Sequence, residues 1–291
     1  MSIERVAVLG GGLMGSGIAE SVARAGMVVT VRDVDEAAVA GAGTRIAASL
    51  HRAVEGGKLT AAEAEATRRR ITLTDDLGRI AGADLVIEAV PEDAGLKAGI
   101  LGRVAGLVDE GAPIASNTSS IPIAQLAAGL PRPDRVLGLH FFSPVPVMPL
   151  VEVVVALDTS AETLELARGF ADRIGKRAIV TKDRSGFIVN MLLVPYLMAA
   201  VRMYEEGFAT AEDIDEGMRL GCGHPMGPLT LADFIGLDVL YAIGDSLHEE
   251  FKQTAYAPPP LLKRMVASGR IGRKAGRGFY AYAADREPAR A

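Results

Sequence analysis

A short apolar run, Val6-Ala7-Val8-Leu9, passes directly into Gly10-Gly11-Gly12-Leu13-Met14-Gly15. This G-x-G-x-x-G spacing, opened by a strand and followed by helix formers from Ile18 to Ala25, constrains the fold more than any other part of the chain. The first glycine permits a tight turn. The second lets backbone amides approach a phosphate, and the third lets the following helix pack closely on the strand. The helix N-terminus then faces a pyrophosphate. A second strand, Val28-Val29-Thr30-Val31, ends near Asp33, 18 residues after Gly15. A carboxylate there can bind the adenosine ribose hydroxyls and repel a 2′-phosphate, which favours NAD, while the adjacent Arg32 leaves NADP open. The cofactor-binding set is therefore Gly10, Gly11, Gly12, Leu13, Met14, Gly15 and Asp33.

The rest of the chain fits a doubly wound α/β architecture. Up to about residue 180, short β-branched runs alternate with helical stretches, the pattern of a Rossmann-type, mostly parallel sheet. Strands are expected at 6–9, 28–31, 84–89, 113–115, 136–139, 151–155 and 178–180. Residues 35–70 read as a long helical insertion broken at Gly56-Gly57. From residue 187 to 254 the apolar residues recur at helical spacing, with Thr210 as a helix cap and a new helix expected near Thr230. This gives a dinucleotide-binding domain over 1–184 and an all-helical domain over 185–291.

Composition narrows the function class. At 291 residues the chain holds two cores, with 49% hydrophobic and 23% charged residues and a net charge of −5. That charge argues against a nucleic-acid partner. The single cysteine, Cys222, excludes an internal disulfide and fits a reducing, cytoplasmic setting. The apolar run from Phe187 to Met203 contains Asn190, Pro195, Tyr196 and Arg202, so a buried or interface helix is expected rather than a membrane span.

Of four histidines, none shows metal-ligand spacing, and no metal is expected. His51 and His248 lie in polar helical stretches, and His224 precedes Pro225 in a turn. His140 follows the strand at 136–139, at a carboxyl end where ligands bind in open α/β sheets. Twelve residues on, Glu152 interrupts the apolar run from Leu150 to Ala156, and a buried carboxylate needs a donor or cation. Pro144, Pro146 and Pro149 suit a fixed reversal that returns Glu152 to His140. The carboxylate then sets the imidazole tautomer and stabilises the imidazolium, leaving the other nitrogen for a substrate proton. A core histidine with a surface glutamate fits the same pattern. Two further polar features stand beside it. Ser116-Asn117-Thr118-Ser119-Ser120 follows a strand and reads as a turn, a cap or a substrate loop. Asn190 in its apolar helix reads as a packing hydrogen bond or a substrate contact.

These residues carry a resemblance. Gly10–Gly15 with Asp33, the segment 116–120, His140-Phe141-Phe142, Glu152 and Gly186-Phe187-Ile188-Val189-Asn190 occur in the order and spacing of the 3-hydroxyacyl-CoA dehydrogenases. The similarity extends through Pro225-Met226-Gly227-Pro228 and Gly278-Phe279-Tyr280. In length the chain is most similar to the bacterial stand-alone 3-hydroxybutyryl-CoA dehydrogenases. The resemblance implies reversible, NAD-dependent oxidation of an (S)-3-hydroxyacyl-CoA, an acyl-CoA of fatty acid metabolism, with His140 as general base and Glu152 orienting it. It places Ser119 and Asn190 on the substrate's 3-oxygen and thioester region, and implies a homodimer formed by the helical domain. Glu92, Lys97, Ser143 and Lys274 match cofactor-side positions, and Lys58 in the helical arm is a candidate for the CoA phosphate. Glu92, Lys97 and Lys58 also read as solvated charges, and Arg273-Lys274 as a basic turn. The chain departs from the family with Ser143 for a common asparagine, Met191 for a common arginine, and Arg184-Ser185 for a usual turn pair. The alternatives are a dehydrogenase of a free hydroxy acid or sugar acid such as L-gulonate, and a non-catalytic dinucleotide-binding protein.

Overall fold

In β1 (Arg5–Leu9) all residues after Arg5 are buried, because both faces of the strand are covered. Val6 and Val8 enter one core cluster while Ala7 and Leu9 enter another, as the period of two requires. The chain is described here from a computed structural model over residues 2–282, and it divides between Arg184 and Ser185 into two compact units.

The first unit alternates strand and helix. After β1 come α1 (Leu13–Arg24), β2 (Val28–Arg32), α2 (Glu36–Glu55), α3 (Ala61–Arg69), β3 (Ile71–Thr74), β4 (Leu85–Glu88) and α4 (Ala94–Ala105). Then follow β5 (Ile114–Ser116), α5 (Ile123–Ala127), β6 (Val136–Phe141), β7 (Leu150–Val155), α6 (Ala161–Arg173) and β8 (Arg177–Lys182). Local chemistry sets the helix starts. Asp35 accepts from Ala38 N at 2.8 Å to cap α2, Asp93 accepts from Leu96 N at 2.7 Å to cap α4, and Thr60 with Glu63 forms a capping box on α3. The short α5 is capped from afar: the Asp183 carboxylate accepts from Ile123 N and Ala124 N at 2.8 and 2.7 Å.

The eight strands form one sheet in the order β3-β2-β1-β4-β5-β6-β7-β8. Every pair is parallel except β6–β7, which is antiparallel. The order reverses between β1 and β4, so the crevice at their carboxyl ends is the switch point where ligands bind in such sheets. The strand β3 is an addition to the sequence reading, which placed no strand between the helical insertion over 35–70 and the strand at 84–89. The insertion itself is two helices, α2 and α3, separated around Gly56-Gly57.

The second unit is helical: α7 (Val189–Glu205), α8 (Ala211–Cys222), α9 (Pro228–Ile235), α10 (Leu237–Phe251) and α11 (Pro260–Ala267). Leu197, Met198, Val201, Leu229, Leu240 and Leu262 form the centre of its core. Thr210 caps α8 as expected. The next helix starts at Pro228, two residues earlier than the expected Thr230, because proline suits the first helical turn. Asp215 accepts from Leu229 N and Thr230 N at 2.7 and 2.9 Å, replacing the cap that Gly227 lacks. Asp233 accepts from Phe279 N and Tyr280 N at 3.0 Å and so ties down Gly278-Phe279-Tyr280. A Cβ at Gly278 would lie 1.9 Å from Asp233 Oδ1, which explains the glycine. Among the described residues, no helix is long and apolar enough to cross a membrane.

Candidate active site

The glycine turn sits at the carboxyl end of β1, beside the end of β4. Gly10 has φ +90°, and a Cβ there would lie 2.7 Å from the Ala89 carbonyl oxygen. A Cβ at Gly15 would lie 1.8 Å from Gly10 O, so α1 could not seat on the turn. Gly12 differs, since nothing lies within 4 Å of its Cβ position. It is the N-cap of α1 without a side-chain cap, and the first turn holds no acidic residue. An uncapped helix N-terminus facing open space is chemically suited to a pyrophosphate. Leu13 and Met14 begin α1, with Leu13 well exposed.

Asp33 is held by two amides: Oδ2 accepts from Gly11 N and Oδ1 from Val34 N, both at 2.7 Å. Each oxygen retains a lone pair with which to accept a ribose hydroxyl. Arg32 is directed elsewhere, its Nε donating to Asp75 O at 3.2 Å. These residues fit a bound NAD.

Beyond β4 lies an ionic cluster, buried at Glu88 and Lys97 and open to solvent at Glu92, that the sequence reading reached only in part. Glu88, fully buried, accepts from Lys97 Nζ at 2.8 Å, Ser116 Oγ at 2.5 Å and Val90 N at 2.6 Å. Lys97 is 1% exposed, which excludes a solvated lysine. Its ammonium also reaches Val90 O at 3.1 Å and Glu92 Oε2 at 3.3 Å. Glu92 in turn accepts from Thr118 Oγ1 at 2.7 Å, Ser119 N at 2.8 Å and Ser119 Oγ at 3.2 Å. Burial raises the Glu92 pKa, but the Lys97 charge and the hydrogen bonds from Thr118 and Ser119 outweigh it, and the net shift is downward. The serine loop is thus pinned at one end by Glu88 and in its middle by Glu92.

The His140–Glu152 reversal forms as the prolines suggested. His140 lies inside β6 rather than after it, because the strand continues to Phe141, opposite Val151. His140 and Glu152 are direct partners in the antiparallel ladder. His140 Nδ1 lies 2.6 Å from Glu152 Oε2, with His140 6% exposed and Glu152 fully buried. A carboxylate at Glu152 selects the tautomer in which Nδ1 is the donor, because an ionised carboxylate only accepts. The Phe142 ring lies against the imidazole, centroids 4.6 Å apart. Asn117 Oδ1 accepts from Phe141 N at 2.9 Å and so ties the serine loop to the histidine strand.

Lys176, buried just before β8, donates to Val145 O at 2.6 Å and Met148 O at 2.7 Å and pins the 144–149 connection. Burial, aided by the Arg24 charge, pushes its ammonium pKa down. Sequence reasoning missed Glu88, Lys176 and Arg45, and named Asn117 only as part of the serine loop, without its bond to Phe141. Only Glu88 had a signal, a carboxylate closing the apolar strand Leu85-Val86-Ile87.

The remaining predicted residues are placed as follows. Ser143 is exposed just past β6, and Lys58 is exposed in the turn after α2. In the second unit Asn190 is 8% exposed in the first turn of α7. Lys274 is exposed, its ammonium 2.7 Å from the Asp238 carboxylate. His51 is exposed beside Glu55, His248 is half-buried with Nδ1 3.1 Å from Gln253 O, and His224 Nδ1 lies 3.2 Å from the Tyr196 hydroxyl.

A doubly wound sheet with a dinucleotide turn, a buried His–Glu pair and a helical unit defines the class of a two-domain nicotinamide-dependent dehydrogenase. Residues 5–184 match the NAD binding domain of 3-hydroxyacyl-CoA dehydrogenase, and residues 186–282 match its C-terminal domain. The chain belongs to the 3-hydroxyacyl-CoA dehydrogenase family. It is 52% identical to a 3-hydroxybutyryl-CoA dehydrogenase of Mycobacterium tuberculosis, over 97% of this chain and 99% of the relative. The crystal structure of M. tuberculosis FadB2 superposes with a TM-score of 0.96 at 52% identity, covering 97% of this chain and all of that one. The (S)-3-hydroxybutyryl-CoA dehydrogenase of Ralstonia eutropha has a TM-score of 0.90 at 44% identity, covering 97% of this chain and 100% of its own.

Proposed function

We propose that the protein catalyses the reversible, NAD-dependent oxidation of (S)-3-hydroxyacyl-CoA, with short chains such as 3-hydroxybutyryl-CoA preferred. The observation that carries this reading is the buried 2.6 Å contact between His140 and Glu152, in a unit that also holds the glycine turn.

Gly10 through Gly15 and Asp33 would hold the cofactor, with Glu92, Lys97, Ser143 and Lys274 on its side of the site by family position. When bound, NAD supplies the acceptor for the hydride from the substrate's C3. With Nδ1 committed to Glu152, proton transfer falls to Nε2 of His140, which takes the proton of the 3-hydroxyl. The Glu152 carboxylate compensates the charge that His140 gains, and its ladder position fixes the ring orientation. Ser119, oriented by Glu92, binds the 3-oxygen, while Asn190 takes the family's role toward the thioester region. Lys58 contributes to the CoA phosphate. In the reducing direction His140 returns the proton.

The helical unit is read as the dimerisation element of a homodimer. It exposes Leu192, Phe208 and Leu220, each more than 70% accessible, and such exposed apolar side chains suit an interface. The single cysteine suits a cytoplasmic protein.

The test is steady-state NADH absorbance with acetoacetyl-CoA, measured beside free acetoacetate and sugar acids including L-gulonate. Turnover confined to the acyl-CoA is expected. Faster turnover of a free acid, or NADH binding with no turnover on any acyl-CoA, would overturn the assignment.

A further inference from the structure

We propose that Arg45, an exposed residue of α2 beside the glycine turn, is a positioning residue for the dinucleotide: it aims the Gly12 amide at the pyrophosphate. The Arg45 guanidinium closes on one backbone oxygen, with Nε and Nη2 donating to Gly11 O at 3.0 and 2.7 Å. Ser16 Oγ donates to the same oxygen at 2.7 Å. The amide of Gly11 is fixed as well, donating to Asp33 at 2.7 Å. Both sides of Gly11 are therefore held, one by a carboxylate and the other by a cation.

The consequence follows from peptide geometry. In a planar trans peptide the C=O and the next N–H point in opposite directions. Arg45 draws Gly11 O toward α2, so the Gly12 N–H of that peptide is turned away from α2. Gly12 is the position where nothing lies within 4 Å of a Cβ, at the uncapped start of α1. A peptide between two glycines has little intrinsic preference between its two orientations. Without Arg45 only Ser16 Oγ restrains that oxygen, and part of the cost of fixing the peptide falls on ligand binding. Ala42, one turn before Arg45, shows how close α2 comes: its Cβ would lie 2.5 Å from a Cβ at Gly11. Helix α2 thus sets the turn from behind, through the Gly11 backbone.

The experiment uses the full chain as wild type, Arg45→Ala, Arg45→Gln, Arg45→Lys and Arg69→Ala. Arg69 is an exposed arginine paired with Glu65 on α3, and its removal changes the net charge equally. NADH affinity is measured by fluorescence titration. Hydrogen exchange is followed in the ligand-free protein over the peptide spanning residues 10–12. Losing one charge-assisted hydrogen-bonding group predicts an Arg45→Ala Kd for NADH raised about tenfold. Exchange in the glycine peptide should be faster, while kcat at saturating NAD and KM for the acyl-CoA stay within about twofold, since Arg45 is remote from the proton transfer. Arg45→Gln, which keeps one donor without charge, and Arg45→Lys should fall between wild type and alanine. Should the alanine variant not fold, these two carry the test. An NADH Kd within about twofold of wild type overturns the proposal. So does an equal loss in Arg69→Ala, or full recovery in Arg45→Lys, because either would make the effect one of charge alone.

Discussion

Replacing Glu152 by glutamine changes one charge at constant shape, in a position with no access to solvent. The wild-type contact is a 2.6 Å hydrogen bond from His140 Nδ1 to a fully buried carboxylate. A hydrogen bond to a charged group contributes about 1.5–3 kcal/mol and a neutral one about 0.5–1.5 kcal/mol, so the exchange costs roughly 1–2 kcal/mol. If that loss falls on the transition state, where His140 becomes charged, kcat drops about 5–30-fold. The amide can also turn its NH2 toward Nδ1, which forces the proton onto Nε2 and removes the base. The loss then reaches the value for a missing general base, about 10²–10⁴-fold. The assay is kcat for acyl-CoA oxidation beside NADH binding and thermal melting of the same preparation. A fall in kcat of at least about fivefold, with NADH affinity unchanged, is expected. Wild-type kcat in a folded Glu152→Gln protein would refute the reasoning.

Three further outcomes follow from the cofactor side of the site. Asp33→Ala should raise relative kcat/KM with NADP over NAD, because the carboxylate that faces the ribose hydroxyls is gone; an unchanged ratio contradicts the role given to Asp33. Lys97→Met strands the buried Glu88 carboxylate and should cost about 3–5 kcal/mol, read as a fall in Tm; a Tm equal to wild type would show that Glu88 does not depend on the pair. Glu92 is held below its ordinary pKa against burial, chiefly by the Lys97 charge and the hydrogen bonds of Thr118 and Ser119. A carboxylate shifted down stabilises the fold fully above its unfolded value and loses that contribution as pH falls through its folded value. The Tm difference between wild type and Glu92→Gln should therefore be full at neutral pH and shrink only below about pH 4.3. A difference that is instead largest in acid would reverse the assignment.

Much of the fold was legible because both units announce themselves through period. The glycine turn and β1 carry unambiguous local chemistry, and the alternation of apolar runs with helical stretches reads directly as a doubly wound sheet. The strand at Ile71–Thr74 was hidden because it is short, lies at the sheet edge and has no fully buried residue. Its apolar signal is weak, and it directly follows the arginine-rich end of α3. Among the site residues, His140 and Glu152 stood out as polar groups in apolar strands. Glu88 obeys the same rule and could have been found by it. The roles of Arg45, Asn117 and Lys176 could not, because each acts on a backbone group 24 to 34 residues away through a hydrogen bond that no periodicity records. Lys97 was recognised by position, but its burial depends on the Glu88 pairing that only the folded chain reveals.

The most direct test of the central claim is His140→Ala, assayed for turnover of an (S)-3-hydroxyacyl-CoA and for NADH binding on the same protein. The proton-transfer role predicts that kcat falls by about 10²–10⁴-fold while the NADH Kd is unchanged. Turnover near the wild-type rate in a folded variant would contradict the account.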